Sequence, residues 1–129
     1  MSAYLIDTDV LIDFFKKKPY ALSTVPPLAS EHALAVSMLT IAELAAGWNQ
    51  KEANLYLPQL YNLAERIPIS EPIAELAGAL RYQYKAKGRT ISLPDAIIAA
   101  TAIIEGRIVV TRNTKDYPMP ELSLYPWSN

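Results

Sequence analysis

The sequence predicts an α/β fold, a three-layer α/β/α sandwich around a central, mostly parallel sheet, and three observations carry that prediction. Apolar runs of strand length at 4–6, 33–38 and 107–111 alternate with segments of helical periodicity. No Asn-Gly or similar hairpin signal joins any two of these runs. At their centres, LI, LAV and IVV, the runs are also continuously apolar rather than alternating, as strands covered on both faces are.

The elements follow in order. Tyr4, Leu5 and Ile6 are too few for a helix, and Asp7 ends them, so they read as a buried strand feeding a turn. Val10, Leu11, Phe14 and Phe15 then fall on one helical face, with Asp9 placed to cap it. Pro19 ends that helix or starts the next segment, and Pro26-Pro27 inside 20–31 predict a broken helix or two short ones. Ala33 to Met38 is a second buried strand. Thr40 is placed to cap a helix through Ile41 and Leu44 that stops at Gly47. A helix is expected over 51–65 with a kink or break at Pro58, and RIPIS at 66–70 reads as a strand. Glu71-Pro72 opens a long helix through Ile73, Leu76, Ala77, Leu80 and Tyr84, which Gly88 stops. Ser92 caps a helix apolar nearly all round, ending at Gly106. RIVVT is a strand, RNTKDYP is turn-rich, and SLYP is a candidate last strand.

At 129 residues, with 51% hydrophobic and 19% charged side chains, one globular domain over 1–129 is expected. There is no cysteine, which excludes disulfides, a thiolate nucleophile and Cys-ligated zinc, and the single His32 cannot build a His-rich metal site. Any metal must be held by oxygen. MSAYLIDTDV has no basic n-region, and the longest apolar stretch, 96–104, is half the length of a membrane span, so a cytoplasmic protein is expected. Twelve basic and thirteen acidic residues give a net charge of −1, so any attraction for nucleic acid must be local. Lys16–Lys18 and Lys85, Lys87, Arg89 are the two local basic patches.

In an open parallel sheet ligands bind beyond the carboxyl ends of the strands, which directs attention to acids at those places. Asp7, Glu43, Asp95 and Asp116 each stand at a strand end, a helix start or the loop after a strand. Each has an ordinary alternative: Asp7 can close an Asx turn, Glu43 lies three residues after Thr40 at capping-box spacing, Asp95 stands in a first helical turn, and Asp116 lies in a turn. Asp9 is open between helix cap and ligand, and Asp13 reads as a surface residue. Jointly the four acids converge in the predicted topology. Two carboxylates about 4 Å apart repel by roughly 4 kcal/mol at an effective dielectric of about 20, so such a cluster needs a cation or raised pKa values. Mg²⁺ or Mn²⁺ suits an all-oxygen site and supports hydrolysis of a phosphodiester. Thr111 and Asn113 add neutral donors beside it.

Four segments, LIDTDVLID, SMLTIAELAAG, SLPDAIIAATAI and VVTRNTKDY, together resemble the PIN-domain ribonucleases, in particular the VapC-type toxins of toxin–antitoxin pairs. With the linking helices they account for nearly the whole chain. The resemblance implies a metal-dependent endoribonuclease in which Asp7, Glu43, Asp95 and Asp116 hold the metal and Thr111 and Asn113 support them. It also implies a homodimer and an antitoxin seated in a groove beside the site. Asp9 stands where the family often has Asn, and Tyr117 where Phe is common, a change expected to alter packing only. Two other readings compete. DTD also resembles the motif of haloacid-dehalogenase-type phosphatases, with Asp7 as nucleophile and Asp9 as general acid, although Leu11 departs from that pattern. Alternatively the acids are all caps in a non-catalytic interaction domain.

Overall fold

Residues 2–31 and 33–128 are described in the computed structural model of the chain; His32 lies outside them. Four strands, β1 (Tyr4–Ile6), β2 (Leu34–Ser37), β3 (Glu65–Ile67) and β4 (Ile108–Val110), form one parallel sheet in the order β3-β2-β1-β4. Six helices join them: α1 (Thr8–Phe15), α2 (Pro19–Ser30), α3 (Met38–Ala46), α4 (Gln50–Leu63), α5 (Glu71–Ala86) and α6 (Leu93–Glu105). SLYP contributes a single bridge, Leu124 beside Val109, rather than a full strand.

Strand side chains alternate between two faces, and each face has its own core. Leu5, Ala35, Ile67 and Val109 pack on the stripe Ile73, Ala77, Leu80 and Tyr84 of α5 and on the small residues of α6. Ile6, Leu34, Val36 and Val110 point the other way, onto α1, α2, α3 and α4 through Val10, Leu11, Val25, Leu44 and Leu60. The expected three layers follow from this division. Ala96, Ala99, Ala100 and Ala102 let α6 lie close to the sheet, and Gly106, with φ of 67°, ends the helix in the left-handed region. At the amino ends of the strands the Arg107 guanidinium donates to the carbonyls of Tyr4 and Ala33 and pairs with Glu65, tying three chain segments together.

Local details differ from expectation for identifiable reasons. Asp7, not Asp9, caps α1: its backbone is still extended as it leaves β1, and its carboxylate accepts from the Thr8 amide. Ser37, not Thr40, caps α3, because β2 runs straight into the helix. α2 runs unbroken through Pro26 and Pro27, and α4 through Pro58. All three prolines are exposed, so the carbonyls one turn earlier that lose their amide partner lie on the solvent side while the buried stripe stays intact. β3 begins at Glu65 and ends at Ile67, shorter and earlier than RIPIS. Asp13 is half-buried and accepts a hydrogen bond from the Tyr20 hydroxyl, so it is not a simple surface residue.

Candidate active site

Because the strands are parallel, their carboxyl ends share one edge of the sheet, and neighbouring β1 and β4 deliver Asp7 and Thr111 side by side. Asp7 is 7% exposed. Its Oδ1 accepts from the Thr8 amide at 2.8 Å, and its Oδ2 accepts from the Tyr117 hydroxyl at 2.7 Å and the Thr111 hydroxyl at 3.0 Å. The Asn113 amide donates to Thr111 Oγ1 at 3.1 Å, which leaves the Thr111 proton directed at Asp7. Asp9 joins α1 to the chain after β4: Oδ1 accepts from the Val10 amide and Oδ2 from the Arg112 amide, both at 2.9 Å.

The capping box expected for Glu43 does not form. With α3 starting at Met38, Thr40 lies inside the helix, fully buried, and Glu43 stands on the next turn. The Thr8 hydroxyl donates to Glu43 Oε1 at 2.6 Å and shares a 3.1 Å hydrogen bond with Thr40. Asp95 is the third residue of α6, where its amide donates to the Ser92 cap at 3.2 Å. Its carboxylate turns inward, and Oδ1 stands 3.3 Å from the Tyr117 hydroxyl.

Asp7, Thr8, Asp9, Glu43, Asp95 and Asn113 line one cavity of ≈ 180 Å³. Asp116 ends a 3₁₀ turn, Thr114–Asp116, outside that lining, close enough for its charge to raise the Asp95 pKa. Thr111 stands behind Asp7 rather than on the cavity wall.

The electrostatics are unfavourable to ionised carboxylates. Burial pushes the Asp9 carboxyl up to about 6, and the Asp7 charge adds to that rise against the amides of Arg112 and Val10. Burial likewise raises Asp7, outweighing the hydrogen bonds from Tyr117, Thr8 and Thr111. Asp95 is raised first by burial and then by Asp7 and Asp116. Burial and the facing carboxylates keep Tyr117 a neutral phenol. One phenolic proton cannot serve two carboxylates equally, so the shorter contact to Asp7 takes it, and a proton on Asp95 makes the second contact favourable. Among the described residues the ion pair is Arg107–Glu65, at the far end of the sheet, so no salt bridge relieves these acids. The Arg112 guanidinium instead lies over the rings of Trp127 and Tyr20, at 4.6 and 4.9 Å.

An all-oxygen donor set, raised pKa values and the lack of a paired side-chain cation fit a hard divalent ion. Among the described residues, no three His, Cys, Asp or Glu side chains are arranged to hold a metal outright. The hydroxyls of Thr8, Thr111 and Tyr117 occupy carboxylate lone pairs that an ion would compete for. Thr8 is the polar group that the sequence reading missed, and Tyr117, expected to alter packing only, instead donates its hydroxyl to Asp7. DTD offered a signal for Thr8, a hydroxyl between two candidate acids, but nothing local marks Tyr117, whose role depends on a fold that returns it 110 residues later to Asp7.

A parallel sheet with acids gathered at its carboxyl edge is the arrangement of a PIN domain, and the PIN-domain sequence profile matches residues 4–119; the chain belongs to this family. Among curated relatives it is similar to ribonuclease VapC2 of Rickettsia felis, 30% identical over 96% of this chain and 97% of that protein. It is also similar to ribonuclease VapC19 of Mycobacterium tuberculosis, 32% identical over 92% and 95%. Among solved structures, VapBC2 from Rickettsia felis bound to a DNA fragment from their promoter contains a chain that superposes with a TM-score of 0.83. That chain is 30% identical, and the match covers 97% of this chain and 98% of that one. Membership of this family sets aside the phosphatase reading of Asp7.

Proposed function

We propose that the protein is an endoribonuclease, the toxin of a toxin–antitoxin pair, acting through Mg²⁺ or Mn²⁺ held by Asp7, Glu43, Asp95 and Asp116. The observation that carries this reading is one buried carboxylate, Asp7, with half-buried Asp9 and Asp95 beside it, mutually repelling and with no paired side-chain cation, at the sheet edge of a chain related to VapC ribonucleases. One nuclease unit spans 1–129, works in the cytoplasm on RNA, pairs with a second copy and is held in check by a cognate antitoxin.

A bound divalent ion supplies a lowered pKa for water and neutralises charge on a phosphoryl oxygen. The protein's part is orientation. Asp7 is held in one orientation by the Thr8 amide and the Thr111 and Tyr117 hydroxyls, and an incoming ion would displace part of that set. Asp9 pins the chain after β4 to α1 through the Arg112 amide and adds negative charge at the cavity wall. Glu43 is turned toward the cavity by Thr8. Asp116, in the 3₁₀ turn and near enough to Asp95 for its charge to be felt there, would complete the donor set.

The test is direct. Purified protein incubated with single-stranded RNA and Mn²⁺ is expected to generate discrete new 5′ ends, none with EDTA or with Asp95→Asn. Cleavage that persists with EDTA, or in a folded Asp95→Asn protein, contradicts this function. An adduct on Asp7 after treatment with a phosphate analogue would restore the phosphatase reading.

A further inference from the structure

We infer that the groove lined by Phe15, Lys16, Gly47, Trp48, Glu52 and Tyr56 is a nucleobase subsite, taking an unpaired base that flanks the scissile phosphate. The inference rests on the ribonuclease function proposed above and assigns a place to part of its substrate. The groove holds ≈ 380 Å³ between the ends of α1, α3 and α4, room for a nucleoside. It opens off the acid cavity, because Ile12 and Glu43 line both. An RNA strand with its phosphate among the acids must put a neighbouring nucleotide within one sugar-phosphate step, and a groove that shares two wall residues with the acid cavity adjoins that path.

Its chemistry selects the base over the phosphate. Phe15, Trp48 and Tyr56 form one aromatic cluster, with ring centroids 5.2 Å apart for Phe15–Trp48, 4.9 Å for Phe15–Tyr56 and 5.3 Å for Trp48–Tyr56. Trp48 and Tyr56 are only half-buried, so part of each ring faces the groove. Glu52 on its wall repels a phosphate and can accept from the amino or imino groups of a base. Lys16, exposed at the rim, is the one cation in the lining and is placed for the adjoining phosphate. Glu52 is held in position by the Asn49 capping box and does not depend on the ligand for its orientation. Stacking on such rings tolerates any base, so this subsite contributes affinity for single-stranded RNA and strand direction more than sequence choice.

The experiment uses an oligoribonucleotide cleaved at one mapped bond, resynthesised with a single abasic residue at each position within two nucleotides of the cut. With the full-length protein and Mn²⁺, one such substitution is expected to raise KM at least about fivefold, as expected for loss of one stacked base, with kcat little changed. Trp48→Leu is expected to raise KM for the parent RNA and to abolish the difference between parent and abasic RNA. Tyr56→Phe, which keeps the ring, is expected to behave as wild type. Unchanged KM at every abasic position overturns the inference while leaving the ribonuclease function standing. A Trp48→Leu protein that still separates the two RNAs as wild type does also overturns it. No cleavage of any RNA by wild type overturns both.

Discussion

Tyr117 shows how much of the site is decided by single hydrogen bonds. Its hydroxyl is donated to Asp7, a carboxylate already pushed up by burial, so removing it takes a donor from the charged form. Tyr117→Phe is therefore expected to cost about 1–2 kcal/mol of metal-free stability at pH 7 and less at pH 5, where the carboxyl holds its proton more of the time. Denaturant unfolding at the two pH values checks this; an equal loss at both would mean the phenol matters for packing alone. The wider pH dependence follows the same sign. Asp7, Asp9 and Asp95 have folded pKa values above the unfolded value of 3.8, so their contribution is fully present below that pH and is lost as pH rises through the folded values, about 6 for Asp9. The Tm of metal-free protein should fall between about pH 4 and 7 for this reason, and Asp9→Asn should flatten the fall. A slope that Asp9→Asn leaves unchanged would contradict the assignment. The acids themselves were legible as residues, but their hydrogen-bond partners were not, since Thr8–Glu43 and Tyr117–Asp7 join parts of the chain 35 and 110 residues apart.

Helix starts were legible to within a few residues, and the errors have a common origin. Asp9 and Thr40 are sound caps by residue type, yet the strands before them end at Ile6 and Ser37 and pass directly into helix, which moves the cap to Asp7 and Ser37. That shift also frees Glu43 from a capping role and leaves its carboxylate to the Thr8 hydroxyl at the cavity. Ser92, by contrast, caps α6 as its spacing predicts, whereas Ser70, read as the end of a strand, caps α5. Prolines misled for a physical reason: a helix tolerates them where the orphaned carbonyls meet water, and sequence alone does not show which face that is. The end of α1 carries strain, since Lys17 has φ of 63°, a region that favours glycine. Lys17→Gly is expected to raise stability by about 1 kcal/mol without changing cleavage. Unchanged or lower stability in a denaturant titration would show that the Lys17 side chain contributes more than its backbone costs. The C-terminal segment is a second case of structure that only the fold reveals. Trp127 donates to the Thr111 carbonyl at 2.8 Å and stacks beside Arg112, so Trp127→Ala should slow cleavage as well as lower the Tm by loosening the chain that carries Thr111. A Tm loss with unaltered kcat and KM would confine Trp127 to a packing role.

Across the whole molecule, alternation of strands and helices was enough to give a parallel sheet, and a parallel sheet was enough to give the edge where the acids gather. Order within the sheet was not legible, because short apolar strands carry no pairing code; β1 is central only because β2 and β4 both add to it. Two cores, one on each face, make the scaffold rigid, and the acids stand where neither core reaches them. The scaffold therefore bears a local cost at the site: carboxylates kept together without a partner cation. A chain built this way should tolerate losing an acid better than most proteins tolerate a change at a buried position. The most direct measurement is thermal unfolding of wild type and Asp7→Asn at pH 7, with and without Mn²⁺. Wild type is expected to gain Tm with Mn²⁺, while Asp7→Asn is expected to be at least as stable as wild type without the ion and to respond to it weakly or not at all. A destabilised Asp7→Asn, or one whose Tm rises with Mn²⁺ as far as wild type's, would contradict the claim that these carboxylates are assembled to hold a metal.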